Sequence, residues 1–118
     1  MYSDALVDAH AVPWQPIEPG VERQVLTYTP ALMLVRVRFA AGAVGAPHHH
    51  PHRQVSYVAA GTFDVEVAGE RRVLRAGDSF IVEPDVVHGV VAREAGMLLD
   101  VFTPMRESFV AAPPAGRR

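Results

Sequence analysis

Imidazole side chains dominate the chemistry this chain can do. His48, His49 and His50 stand in a row, Pro51, His52, Arg53 and Gln54 follow, and His88 lies farther along. In an extended chain successive side chains alternate faces, so His48 and His50 point one way and His49 the other. Imidazoles at i and i+2 can converge on a single cation, whereas adjacent ones cannot. Gln54 keeps the same parity and offers an amide oxygen. The spacing predicts a metal site, against the blander alternative of surface or hydrogen-bonded core histidines. A backbone-satisfied glutamine is the competing reading for Gln54. His52 shares the parity, but Pro51 interrupts the strand before it, which favours a pocket or surface role. His49 and His10 read as solvated.

The rest of the composition narrows the class. At 118 residues the chain is one domain, with 49% hydrophobic and 20% charged residues, as in ordinary soluble proteins. A formal charge of −2 provides no basic footprint for nucleic acid. With no cysteine there is no disulfide framework, thiolate ligand or cysteine nucleophile. The first ten residues lack a basic region followed by an apolar one, so no signal peptide is expected. No apolar run approaches bilayer length. The expectation is a cytoplasmic enzyme or binder of a small molecule, with no nucleic-acid or membrane partner.

These residues must be positioned by short strands. Residues 1–20 carry Pro13, Pro16 and Pro19, which exclude a continuous helix or central strand and suggest an arm lying across the domain or a partner subunit. Strands are expected over 24–29 and 32–40, where Val35, Val37 and Phe39 alternate with Arg36 and Arg38. Further strands are expected over 55–59, 63–67, 71–75, 79–83, 86–92 and 97–102, separated by Gly61, Gly69, Ala76-Gly77-Asp78 and Pro84-Asp85. Residues 105–110 read as a short helical turn and 111–118 as a disordered tail. Arg36, Arg38, Asp64 and Glu66 read as a solvated sheet face, while Tyr57 and Trp14 could line a pocket or a dimer contact. Many short strands with hardly any helical periodicity indicate a small all-β barrel spanning 21–110.

Two stretches resemble the motifs of the cupin superfamily. Gly42, His48, His50, Gln54 and Gly61 are similar to the first motif, with glutamine where glutamate is commonest. Gly77 and His88 fit the second, with Glu83, Asp85 and Ala92 in place of its usual proline, glycine and asparagine. The closer resemblance, over residues 14–110, is to KdgF-type small single-domain cupins, which ketonise unsaturated uronates. It rests on the segment from His48 to Gln54, the Ala76–Phe80 turn, the Pro84–Val90 stretch, and above all Leu98 to Phe109. His49 and Arg53 depart from that pattern and alter the charge near the site.

The resemblance implies a jelly-roll β-barrel, a homodimer, and one divalent ion held by His48, His50, Gln54 and His88. Three neutral imidazoles and an amide leave the ion's double charge uncompensated, which favours anionic oxygens. Zinc, nickel, manganese and iron all suit that donor set. The family's substrate-handling residues fall on Asp100, Phe102 and Arg106. Asp100 and Phe102 share a strand face with Leu98, and a carboxylate on an apolar face is costly unless paired or functional. Asp100 could act as a general base, and Arg106 could grip a carboxylate with its planar fork. Structural alternatives are a carboxylate bonded to backbone or arginine, and an arginine paired with Glu107 or an N-terminal acid. The implied reaction is ring opening of a 4,5-unsaturated monouronate. Cupins that cyclise polyketides, oxygenate with redox-active metals, or bind a ligand without turnover are the competing classes.

Overall fold

Alternation of apolar and polar residues builds nearly everything in this molecule. The computed structural model describes residues 1–110, and the expected disordered tail at 111–118 lies outside the described residues. The strands are β1 (Gln15–Glu18), β2 (Val21–Thr29), β3 (Leu32–Phe39), β4 (Val44–His48), β5 (Arg53–Ala60), β6 (Thr62–Val67), β7 (Glu70–Arg75), β8 (Ser79–Val82), β9 (His88–Ala92) and β10 (Gly96–Thr103). A six-stranded sheet runs β1-β2-β3-β10-β5-β8, and a four-stranded sheet runs β4-β9-β6-β7. The pairings are antiparallel. This is the single-domain jelly-roll β-barrel expected.

The inward parity of β3 carries Met33, Val35, Val37 and Phe39, all buried, and they pack with Val58, Phe63 and Leu98. Each such side chain contributes roughly 1.5–3 kcal/mol on burial, so this apolar end anchors the barrel. At the other end the same inward parity turns polar. Gln54 and Ser56 of β5, His88 of β9 and Asp100 of β10 are all buried. A hydrophobic floor therefore supports a polar mouth. Gly61 joins β5 to β6 at a φ of 83°, and a Cβ there would lie 2.7 Å from the Gly96 Cα. Both the left-handed turn and the close approach exclude a side chain.

The N-terminal residues lie on their own domain. β1 forms the sheet edge, where Pro16 costs no ladder bond. The Ser3 amide donates to the Tyr28 carbonyl. Buried Gln24 donates its amide hydrogens to the Ala9 and Val12 carbonyls, and its oxygen accepts from Arg36 at 2.9 and 2.6 Å. Arg36 therefore departs from the solvated face expected for it, because the arm covers that part of the sheet. Trp14 lies beneath Arg38 and Tyr57 faces outward, half-exposed, so neither lines the cavity at the polar mouth. Two further expectations shift. The strand expected from Val86 begins at His88, after a turn, and the helical turn at 105–110 shortens to a 3-10 turn at Glu107–Phe109. No described helix is long and apolar enough to cross a membrane.

Candidate metal centre

Three separate segments converge here. His48 closes β4 and faces His88, the first residue of β9, across the smaller sheet. His50 lies beyond the strand in the turn that leads to β5, and Gln54 is the second residue of β5. The expectation that His48, His50 and Gln54 share one strand face is thus corrected: the chain leaves β4 at His48 and turns through Pro51 into the opposite sheet. The turn is pinned by the Asp85 amide, which donates to the His50 carbonyl at 2.7 Å. Despite the different route, one ligand nitrogen from each of His48, His50 and His88 lies within 4.8 Å of the others. His52 stands outside this cluster, its Nε2 3.0 Å from Glu107 Oε1. His49 is exposed, 3.9 Å from Asp85. His10 is also exposed.

The hydrogen bonds fix which nitrogens are available. Nδ1 of His48, His50 and His88 lies 2.9 Å from the carbonyls of Ala46, His52 and Val86 respectively. A carbonyl can only accept, so each Nδ1 carries a proton, and in the neutral ring it is Nε2 that presents a lone pair. Among the described residues, buried His88 Nε2 has no hydrogen-bond partner.

The amide of Gln54 is oriented by the same logic. Ser56 Oγ donates its proton to Asp100 Oδ1 at 2.6 Å, so it must accept from Gln54 Nε2, 2.8 Å away. That leaves Gln54 Oε1 facing His50 Nε2 at 3.0 Å, one acceptor against another. A proton on His50 would resolve the conflict, but burial first, then the charges of Arg106 and His88, push its pKa down to about 4. Burial likewise lowers His88. At neutral pH a cation is the fitting occupant, and the donor set suits a divalent metal.

The cluster opens on a cavity of about 320 Å³ lined by His48, Gln54, His88, Asp100, Phe102 and Arg106, among others. Asp100 is 8% exposed, and burial lifts its pKa to about 6 against the opposing effects of Ser56 and Arg106. Its hydrogen bond is to Ser56, not to backbone or arginine. Phe102 sits edge-on to the His50 ring at 5.8 Å. Arg106, half-buried, rests over Phe109 with Cζ 4.5 Å from the ring centre, and its buried Nε has no partner among the described residues. It makes no ion pair with Glu107. A larger groove of about 500 Å³ on the smaller sheet carries none of these groups.

Comparison with known proteins decides the lineage: a cupin-domain family profile matches residues 35–102, more than half of the chain. The chain belongs to the cupin family. This cupin is 44% identical over 100 residues to the pectin degradation protein KdgF of Dickeya dadantii (strain 3937), covering 83% of this chain and 91% of that one. KdgF from Halomonas sp. superposes with a TM-score of 0.86 at 41% identity, covering 91% of this cupin and 99% of that structure. An RmlC-like cupin from Shewanella frigidimarina gives a TM-score of 0.89 at 44% identity, covering 92% and 97%. The expected resemblance to KdgF-type cupins holds over nearly the whole described chain.

Sequence reasoning missed Ser56, Arg23 and Phe109. Ser56 lies two residues after Gln54 on the same face and was signalled by that parity. Arg23 stands between Val21 and Val25, an alternation hidden when the strand is begun at Gln24. Nothing in the sequence places Phe109 beneath two arginines.

Proposed function

We propose that this cupin opens the ring of a 4,5-unsaturated monouronate, with one divalent ion held by His48, His50, Gln54 and His88. A bound ion would supply Lewis-acid polarisation of the substrate's oxygens. Asp100 carries the reading: it is a buried carboxylate on the inward face, in the same cavity as the His48 and His88 imidazoles and the Arg23 and Arg106 guanidinium groups.

Arg106 binds the substrate carboxylate with a planar fork already held against Phe109. Phe102 forms the wall beside His50 and orients the sugar. Asp100 takes the proton of the anomeric hydroxyl, a carbonyl forms at C1, and the C1–O5 bond breaks with its electron pair going to O5. The resulting enolate picks up a proton at C4 and becomes a linear keto acid. Asp100 can return the proton it removed, so substrate and product are isomers and no oxidant is consumed.

Similarity to two KdgF proteins supports the substrate class, and the uncompensated charge of an all-neutral donor set suits an anionic sugar. The homodimer implied by the family resemblance is part of the same reading, and light scattering on the purified protein tests it. The decisive experiment follows the conjugated-alkene absorbance of an unsaturated monouronate. Metal-loaded protein should abolish it faster than buffer, and no acceleration would remove the proposed activity.

A further inference from the structure

Arg23 is a charge on a face reserved for the core. Its neighbours on the inward parity of β2, Val21 and Val25, are 3% and 8% exposed. Its side chain reaches the same cavity as Asp100 and Arg106. There the Arg23 Cζ lies 3.6 Å from the centre of the Phe109 ring, on which Arg106 also rests. The two guanidinium carbons are therefore no more than about 8 Å apart. Among the described residues neither arginine has a carboxylate partner within ion-pair distance.

Two half-buried cations held close together repel one another, and the charge of Arg106 adds to burial in disfavouring the charged form of Arg23. An anion between them relieves both costs. The Arg23 fork is already oriented: its Nε donates to Gln15 Oε1 at 3.0 Å, and Phe109 supports its plane. Among the described residues its terminal amino groups have no hydrogen-bond partner, which leaves them for a ligand. A carboxylate that accepts from two guanidinium groups holds their carbons within that upper limit.

We propose that Arg23 is a second anion-binding residue of the cavity and, with Arg106, holds the carboxylate of a small acidic sugar between two guanidinium groups beside Phe109. This rests on the uronate reading for the kind of ligand, but its test is binding and needs no turnover.

The test is thermal-shift and calorimetric titration of metal-loaded protein with D-galacturonate and with its methyl ester. Galacturonate should bind the wild type, and the ester should bind about tenfold or more weakly because it lacks the charge. Arg23→Met should weaken galacturonate binding about tenfold and bring acid and ester to similar affinity. Arg23→Lys, which keeps the charge but loses the fork, should fall between and serves if Arg23→Met does not fold. Equal galacturonate affinity in the wild type and either variant would overturn the proposal. So would equal weakening of acid and ester in Arg23→Met, which would mark Arg23 as a brace for β1. Failure of the wild type to bind galacturonate would overturn it as well. If galacturonate binds as expected but no unsaturated uronate is turned over, the isomerase reading fails and the role of Arg23 stands.

Discussion

Ser56 Oγ donates a 2.6 Å hydrogen bond to Asp100 Oδ1 across the β5–β10 pairing, where the two residues lie in register and both side chains are buried. The hydroxyl opposes the rise that burial imposes on Asp100, keeping a carboxylate available near neutral pH. Ser56 in turn accepts from Gln54, so the candidate base and a candidate metal ligand share one hydrogen-bonded line.

Removing the carboxylate should therefore be costly. Asp100→Asn is expected to lower turnover of an unsaturated monouronate by about 10² to 10⁴-fold while leaving metal content unchanged by elemental analysis. Ser56→Ala should retain turnover but move the acid limb of the pH–rate profile upward, because the bond that favours the ionised form is gone. An unmoved limb would mean that Ser56 does not tune Asp100.

Stability carries the same signature with its own sign. The folded pKa of Asp100, about 6, lies above its usual 3.8. Its contribution is thus fully present below pH 3.8 and is lost as pH rises through about 6. Metal-free wild type and Asp100→Asn should have similar stabilities near pH 4. By pH 7.5 the variant should be the more stable, by up to roughly 3 kcal/mol. Urea denaturation at both pH values measures the difference, and a constant difference would refute the shift.

Metal should raise stability through the three imidazoles. An ion at one hundred times its Kd stabilises the folded chain by about 2.7 kcal/mol. His88→Ala should abolish most of that gain, since His88 Nε2 is buried and has no partner among the described residues. His49→Ala should preserve it, because His49 is exposed and outside the cluster. Melting curves with and without chelator give the comparison.

Asp85 has a φ of 63°, in the left-handed region, at the motif position where the cupin pattern usually has glycine. Aspartate tolerates that conformation better than most residues with a Cβ, which accounts for the substitution. Asp85→Ala is expected to cost roughly 1 kcal/mol, and Asp85→Gly less, by chemical denaturation. A destabilised variant should also hold the His50 loop less firmly, through the Asp85 amide bond to the His50 carbonyl.

Much of this protein could be read from residue order. Alternation in β3, β5, β6 and β10 is a local property, because each inward side chain must be apolar or partnered, and it gave the strands and the all-β class. The motif glycines and histidines carried the family. Residue order points to the convergence of His48, His50 and Gln54 through a shared strand face, and the structure reaches it by another route. A bend at Pro51 that carries the chain into the opposite sheet brings them together instead, and a bend's direction depends on what the segment packs against.

The residue types thus determined which chemistry is available: imidazoles and an amide for a cation, a carboxylate for a proton, arginine for an anion. Tertiary structure alone decided which of them meet. It oriented Gln54 through Ser56, made Nε2 the available nitrogen of His48, His50 and His88 by tying each Nδ1 to a carbonyl, and set Arg23 beside Arg106 over one aromatic ring. Hydrogen-bond direction and ring stacking depend on distances across the barrel between residues far apart in the chain, and local sequence does not encode those distances.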